Sequence, residues 1–319
     1  MLVSILIPVK GDNEFLRECI AGCRELDYKD FEIIVLPDDD IDATGYGKVK
    51  FIPTGAVGPA QKRDIGAKQA KGEILAFLDD DTLPAKNWLA NAVAVFKDPA
   101  VGAVCGPAIT PVTDSPRRRA SGRVYESFFV SGAHRRRYMP TQRCEVDDYP
   151  SCNFLVRADV FKRIGRFDTG FWPGEDTVLC LKIVRDAGKK IIYDPGVLVY
   201  HHRRQLFREH YRQIKSYALH RGYFVRRFPR TSLRLAYFIP SIFLIGVAFG
   251  AIFFTAYPET EELYYTLLEV YLLIIGISVL FLKERFKVKV MIFGGIVLTH
   301  FTYGFFFLKG LVVKRLAEE

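Results

Sequence analysis

Three consecutive carboxylates, Asp79-Asp80-Asp81, end the apolar run from Ile74 to Leu78, which is long enough for one buried strand, and Pro84 stops that strand from continuing. Adjacent like charges repel, and a folded chain keeps them where a cation or solvent relieves the repulsion. Strand alternation places Asp79 and Asp81 on one side and Asp80 on the other. Carboxylate oxygens suit a hard divalent ion, and Mg2+ or Mn2+ commonly bridges one or two carboxylates to substrate phosphates. The plainer reading is a solvated acidic turn.

The surrounding pattern predicts what positions these groups. Strands are expected over 4–9, 31–36, 49–52, 73–78 and 101–106, with helices over 13–26, 59–70 and 87–96. Such alternation of apolar strands with helices predicts a parallel sheet covered on both faces. Ligands bind beyond the C-terminal strand ends of such sheets. Three of those ends are polar: Pro8-Val9-Lys10-Gly11, Pro37-Asp38-Asp39-Asp40 and the opening of Asp79-Asp80-Asp81. From Thr110 to Val146 the pattern loosens, with a short helix expected at 125–129. Order returns at 151–157; a helix opens on Glu175-Asp176, where carboxylates suit the positive helix end. Short strands follow at 191–193 and 197–200, the latter leading into His201-His202, then a basic amphipathic helix over 207–228.

Beyond Pro229 the 319-residue chain becomes long and apolar. Residues 235–257 carry no charge, 263–282 carry only Glu269, and 290–308 are interrupted by His300. Each is long enough for a bilayer span, which implies a soluble domain over 1–228 and a membrane domain over 229–319 with two to three transmembrane segments. Met1 to Pro8 lacks a basic stretch and a cleavage site and reads as a first strand, so the soluble domain is expected in the cytoplasm and the chain as a multi-pass inner-membrane protein. Glu259, Glu261 and Glu262 separate the first two segments, whereas Lys283, Arg285, Lys287 and Lys289 separate the second and third, which places the basic loop inside. Lys314 and Arg315 conflict with three full crossings, and the last segment with its Gly294-Gly295 and His300 is also compatible with a re-entrant or interfacial placement. The net charge of +9 comes with arginine clusters at 117–119, 135–137, 203–204 and 226–227 but no nucleic-acid-binding motif; for the last pair, just ahead of the first apolar segment, anionic headgroups are the simpler partner. Six cysteines show no metal-ligand spacing.

Taken in order, Ile5-Leu6-Ile7-Pro8, Glu32-Ile33-Ile34-Val35, Gly72 through Asp81, Gly165-Arg166-Phe167-Asp168, Gly174-Glu175-Asp176 and His201 resemble the family 2 glycosyltransferases over residues 1 to about 228. That resemblance implies the GT-A fold (α/β, a mostly parallel sheet with flanking helices) and an inverting enzyme using nucleotide-diphospho-sugars. It implies Asp81 as a metal ligand, with Asp79 near the ribose or the metal and Asp80 beside them. His201 matches a histidine near the diphosphate and metal, and Pro8 ends the first motif strand of the donor site. Asp38 or Asp39 matches the base-reading position, and the aspartate of Glu175-Asp176 matches the general base, making Asp176 the catalytic candidate. Two departures stand out: Pro37 replaces the first of two aspartates, and Lys62-Arg63-Asp64 replaces an Arg-Asn motif, with Arg63 keeping the charge. Gln205 and Arg208 have the spacing of processive synthases, but Glu209 stands where those carry tryptophan, which favours a non-processive enzyme.

The chemistry matches those residue types. Inverting transfer displaces a nucleoside diphosphate whose concentrated charge a divalent ion offsets. An acceptor hydroxyl needs a carboxylate to take its proton. The expected acceptor is a lipid-linked glycan hydroxyl; a polyprenyl phosphate, already ionised, is the alternative, and an inactive binding scaffold the second. Trp172 could stack on a sugar or simply pack, and Arg135-Arg136-Arg137 could clamp a diphosphate or form a solvated loop.

Overall fold

A computed structural model describes residues 1–167 and 169–317. Asp168 of the quoted motif lies outside the described residues.

In chain order the first half contains β1 (Val3–Pro8), α1 (Glu14–Arg24), β2 (Phe31–Leu36), β3 (Val49–Phe51), α2 (Pro59–Gln69), β4 (Ile74–Leu78) and β5 (Thr82–Pro84). Then come α3 (Trp88–Val95), β6 (Val101–Cys105), β7 (Ala108–Ile109), α4 (Pro116–Glu126), α5 (Phe128–Ser131), β8 (Cys144–Val146) and β9 (Asn153–Arg157). The rest is α6 (Ala158–Arg163), α7 (Glu175–Arg185), β10 (Lys190–Tyr193), β11 (Val199–His201), α8 (Arg208–Arg227), α9 (Pro229–Ser232), α10 (Leu235–Ala256), α11 (Glu261–Leu280) and α12 (Phe286–Val312).

The chain divides into two compact units. The first comprises Met1–Pro111 and Arg136–His202. Its main sheet runs in the order β3-β2-β1-β4-β9-β6-β10-β8. β1 pairs in parallel with β2 and β4, so the C-terminal ends carrying Pro8, Leu36 and Leu78 fall on one edge. β1 alternates: Val3, Ile5 and Ile7 face one apolar core with α1 and α3, while Leu6 faces another with residues of α6 and α7. Both faces are therefore sealed, and the polar ends are left for the edge. The sheet is mostly parallel, with two departures: β9 enters between β4 and β6, antiparallel to both, and β8 pairs antiparallel with β10 at the edge.

A second, three-stranded sheet, β5-β11-β7, positions the site. Asn153 ties the layers together. Its amide donates to the Gly106 and Val197 carbonyls, both at 2.8 Å, and its Oδ1 accepts from the buried Trp88 indole at 2.9 Å. Gly106 must be glycine here, because a Cβ would stand 1.7 Å from the Val197 oxygen.

The second unit comprises Val112–Arg135 and Arg203–Ala317. This differs from the domain boundary expected at 228: α4, α5 and α8 group with the apolar helices because their apolar faces pack there, Ala120 and Val124 joining Leu206, Ile275 and Ile292 in one cluster. The loosened stretch also holds an eleven-residue helix, α4, begun by Ser115, whose Oγ accepts from Arg118 N, and by Pro116 at its first position. Three helices, Leu235–Ala256, Pro258–Leu280 and Phe286–Val312, are long and apolar enough to cross a membrane. The last is one continuous helix, longer at both ends than the 290–308 expected.

Candidate active site

Asp79, Asp80 and Asp81 lie on the turn joining β4 to β5, and the turn is fixed locally. Thr82 Oγ1 donates to the Asp79 carbonyl at 2.6 Å. Antiparallel pairing of β5 with β11 puts His201 opposite Thr82, and His202 N donates to the Asp81 carbonyl at 3.0 Å. Consequently His201 Nε2 reaches Asp81 Oδ1 at 3.1 Å.

One ligand atom from each of Asp79, Asp81 and His201 lies within 4.8 Å of the others. Two carboxylate oxygens and an imidazole nitrogen, all partly buried, suit Mg2+ or Mn2+ with several positions left for water and phosphate oxygens. The residues thus fit the ion. Asp80 points elsewhere: its Oδ2 accepts from Asn13 Nδ2 at 2.9 Å, and burial pushes its carboxyl up to about 6. Asp80 serves the N-cap of α1, since Asn13 also caps that helix through Leu16 N.

α2 delivers two buried cations to opposite sides of this edge. Arg63, 2 % exposed, donates to Asp79 Oδ1 at 2.5 Å and brings Nη1 to 3.9 Å from Glu175 Oε1. Its guanidinium lies 5.9 Å from the ring centroids of Phe77 and Phe167. Lys62 donates to the Val9 carbonyl at 2.9 Å, the Leu36 carbonyl at 3.1 Å and Thr54 Oγ1 at 3.0 Å, and pairs with Asp38 at 2.5 Å. It therefore clamps the ends of β1 and β2 and orients Asp38, while Asp39 is exposed. From sequence Lys62 stands only as the neighbour of Arg63, with no role of its own; a lysine between glutamine and arginine carries no mark of burial.

Glu175 and Asp176 open α7. Glu175 is buried, accepts from Gly174 N at 3.0 Å, and its carboxyl is pushed up to about 8, chiefly by burial and then by Asp176. Asp176 is half-buried and accepts from Thr177 N at 2.8 Å. Thr177 in turn donates to Asp148, which pairs with Arg137 at 3.3 Å. Arg137 is thus part of the support for α7 rather than of a loose loop, and Arg136 is likewise engaged, 2.5 Å from Cys144 Sγ. Phe171 packs inward while Trp172 is exposed. Pro8 is buried at the end of β1, and Lys10 is exposed beside it.

Residues 4–165 match the model of the glycosyl transferase family 2. Glu175, Asp176 and His201 lie beyond that matched stretch. The chain is 28 % identical over 213 residues to a pre-mycofactocin glycosyltransferase of Mycobacterium tuberculosis, covering 64 % of this chain but 43 % of that relative. It is 26 % identical over 211 residues to the glycosyltransferase AglE of Haloferax volcanii, covering 62 % of this chain and 66 % of the relative. The chain therefore spans less than two thirds of both relatives. Among solved structures it resembles the mannosyltransferase PcManGT from Pyrobaculum calidifontis, in complex with GDP-Man and Mn2+, with a TM-score of 0.63 and 18 % identity over 98 % of this chain and 88 % of the other. That likeness carries the GT-A fold, a mostly parallel sheet with flanking helices. With the family model covering half of its length, the chain belongs to glycosyl transferase family 2.

Proposed function

We propose that this protein transfers a sugar, with inversion, from a nucleotide-diphospho-sugar to a hydroxyl of a lipid-linked acceptor at the cytoplasmic face of the cell membrane. The observation that carries the reading is Arg63, which joins the Asp79, Asp81 and His201 cluster to the Glu175-Asp176 turn through one buried side chain. Donor and acceptor chemistry would thereby meet across a single guanidinium.

Asp79, Asp81 and His201 would hold Mg2+ or Mn2+, which when bound offsets the charge gathering on the departing diphosphate. Asp38, steadied by Lys62, and the exposed Asp39 would read the nucleotide base, beyond the ends of β1 and β2. Asp176 takes the acceptor proton as its oxygen attacks the anomeric carbon; the bond to the diphosphate breaks with its electron pair. Glu175, held protonated near neutral pH by burial, adds no second negative charge beside Asp176. The PcManGT complex with GDP-Man and Mn2+ supports a nucleotide-sugar donor. The apolar helices support an acceptor presented from the membrane.

A panel of nucleotide-sugars, incubated with the full chain and membrane lipid extracts with and without Mn2+, tests this. Label is expected in one lipid product from one donor, and only with the ion. Label appearing solely on polyprenyl phosphate would replace the hydroxyl acceptor, and no turnover with any donor would sink the assignment.

A further inference from the structure

α8 and the C-terminal half of α12 run side by side in the same direction. His210 Nε2 lies 3.2 Å from Thr299 Oγ1, Lys215 Nζ stands 5.0 Å from the Phe306 ring centroid, and Arg226 donates to the Val313 carbonyl. The offset is 89 residues at the first pair and 87 at the last, so one register holds along α8. Between them the backbones nearly touch: a Cβ on Gly222 would stand 2.2 Å from the Phe307 oxygen, and one on Gly310 2.2 Å from the Leu219 oxygen.

The N-terminal half of α12 has its own companions. Arg119 and Arg123 of α4 grip Glu284 just ahead of α12, Val124 covers Gly295, and the Phe129 carbonyl accepts from His300 Nε2 at 2.8 Å. From end to end, then, α12 is accompanied by basic helices. Arg208, Arg212, Lys215, Arg226 and Arg227 of α8 are all exposed.

α10 and α11 meet α12 differently. They are antiparallel to each other, Tyr264 Oη donating to the Val247 carbonyl at 3.0 Å. Passing along α12, the neighbours change from Ile275 and Val279 of α11 beside Ile292, through Tyr271 at His300, to Ser241 at Gly304 and Phe238 at Phe307 on α10. α12 lies across one end of the hairpin. The remainder of the hairpin exposes Ile245, Phe249, Ile252, Leu263 and Leu267. The most apolar window of α12 is 39 % buried against protein, compared with 6 % for α10 and 11 % for α11.

A crossing α12 would drag the cations of α8 through the hydrocarbon layer, where charged side chains are costly unless paired or hydrated. We infer that α12 does not cross: it lies in the plane of the membrane surface with α4 and α8, whose cations meet the headgroup phosphates, and only the α10–α11 hairpin spans the bilayer. Val290, Leu298, Phe305 and Val312, seven or eight residues apart and exposed, form the lipid-facing edge. With two crossings Lys314 and Arg315 fall on the same side as Lys283 and Arg285, and Glu259, Glu261 and Glu262 on the other, so the loop charges no longer conflict. This placement is independent of the reaction proposed above.

Single cysteines at exposed positions, Lys283→Cys, Glu261→Cys and Arg315→Cys, decide it in the full chain embedded in sealed vesicles. A membrane-impermeant maleimide is applied from one side and the modified position read by peptide mass, which separates it from the native cysteines. Positions 283 and 315 are expected to label from one side and position 261 from the other. Label at 315 accompanying 261 would make α12 a third span, and all three labelling together would mean the hairpin does not cross; either overturns the inference. Fluorophores at Val290→Cys, Leu298→Cys and Phe305→Cys, quenched by lipids brominated at different depths, add a second readout. Equal, shallow depths are expected, and a maximum at position 298 would show a re-entrant helix instead.

Discussion

Arg63 Nη2 donates to Asp79 Oδ1 at 2.5 Å from a side chain that is 2 % exposed, so one carboxylate of the acidic turn is held by a cation water hardly reaches. Removing one partner of such a pair leaves an uncompensated charge and costs more than the pair itself contributes. Asp79 is a third exposed, which reduces that cost through solvent screening. Arg63→Met is expected to lower stability by about 2–3 kcal/mol and transfer by about 100-fold. Arg63→Lys should recover stability but little activity, because a lysine cannot address Asp79 and Glu175 in the same plane. Thermal melts and initial rates of sugar transfer check both, and full activity in Arg63→Lys would reduce Arg63 to a structural cation.

Asp176→Asn should leave donor affinity within about threefold of the parent while transfer falls by about 10^3-fold, in the range attributed to general-base catalysis. Donor titration by calorimetry alongside single-turnover transfer separates the two quantities. Wild-type transfer by this variant would end the general-base assignment.

Chelation is expected to abolish donor binding, and Mn2+ or Mg2+ to restore it. Asp81→Asn should raise the concentration of ion needed by about tenfold or more, and His201→Gln by a smaller factor, since imidazole contributes no charge to the hard ion. Tryptophan fluorescence during a Mn2+ titration at fixed nucleotide measures this; equal donor affinity with and without the ion would return the aspartates to an acidic turn.

Lys62→Met keeps the length of the side chain and removes the charge that joins Val9, Leu36, Thr54 and Asp38. A loss of about 2 kcal/mol is expected, as for buried acceptors left without their donor. The KM for donor should rise about tenfold with kcat little changed, because Asp38 loses its orientation. A fall in kcat at constant KM would contradict a role in binding the base.

Glu175 sets a pH dependence. Its carboxyl is raised from 4.5 to about 8, mainly by burial, so the folded chain holds this proton more tightly than the unfolded chain. Stability from this group is complete below the ordinary glutamate value and declines as pH rises through about 8. Glu175→Gln should therefore flatten the fall in Tm between about pH 5 and about pH 8, by the equivalent of about 1–3 kcal/mol. The same slope in both proteins would mean that Glu175 is ionised in the neutral fold.

Much of the first unit was legible in the chain. The strand at 31–36 falls where the apolar run predicts it, and β1, β4 and β6 differ from their expected limits by single residues at their ends. Burial on both faces makes such runs continuously apolar, and this is a local property. The antiparallel insertion of β9 was not legible, because Asn153 to Arg157 reads like any other strand and its partners, β4 and β6, are remote in sequence. α4 was lost among arginines, since its buried apolar side chains are few, Ala120, Val124 and Tyr125, and pack against helices far along the chain.

By itself the sequence determined the family, the polar edge of the sheet, the acidic turn, and the abrupt change to apolar helices after Pro229. Those follow from residue type and spacing. Tertiary structure alone decided the partner of each aspartate: Arg63 for Asp79, Asn13 for Asp80 and His201 for Asp81, the last through a pairing of β5 with β11. It also decided that Lys62 and Arg63 are buried, and that α12 is flanked by basic helices. Hydropathy is summed along the chain, whereas the surroundings of a side chain are supplied by segments that arrive from elsewhere in the sequence, and only folding brings those together.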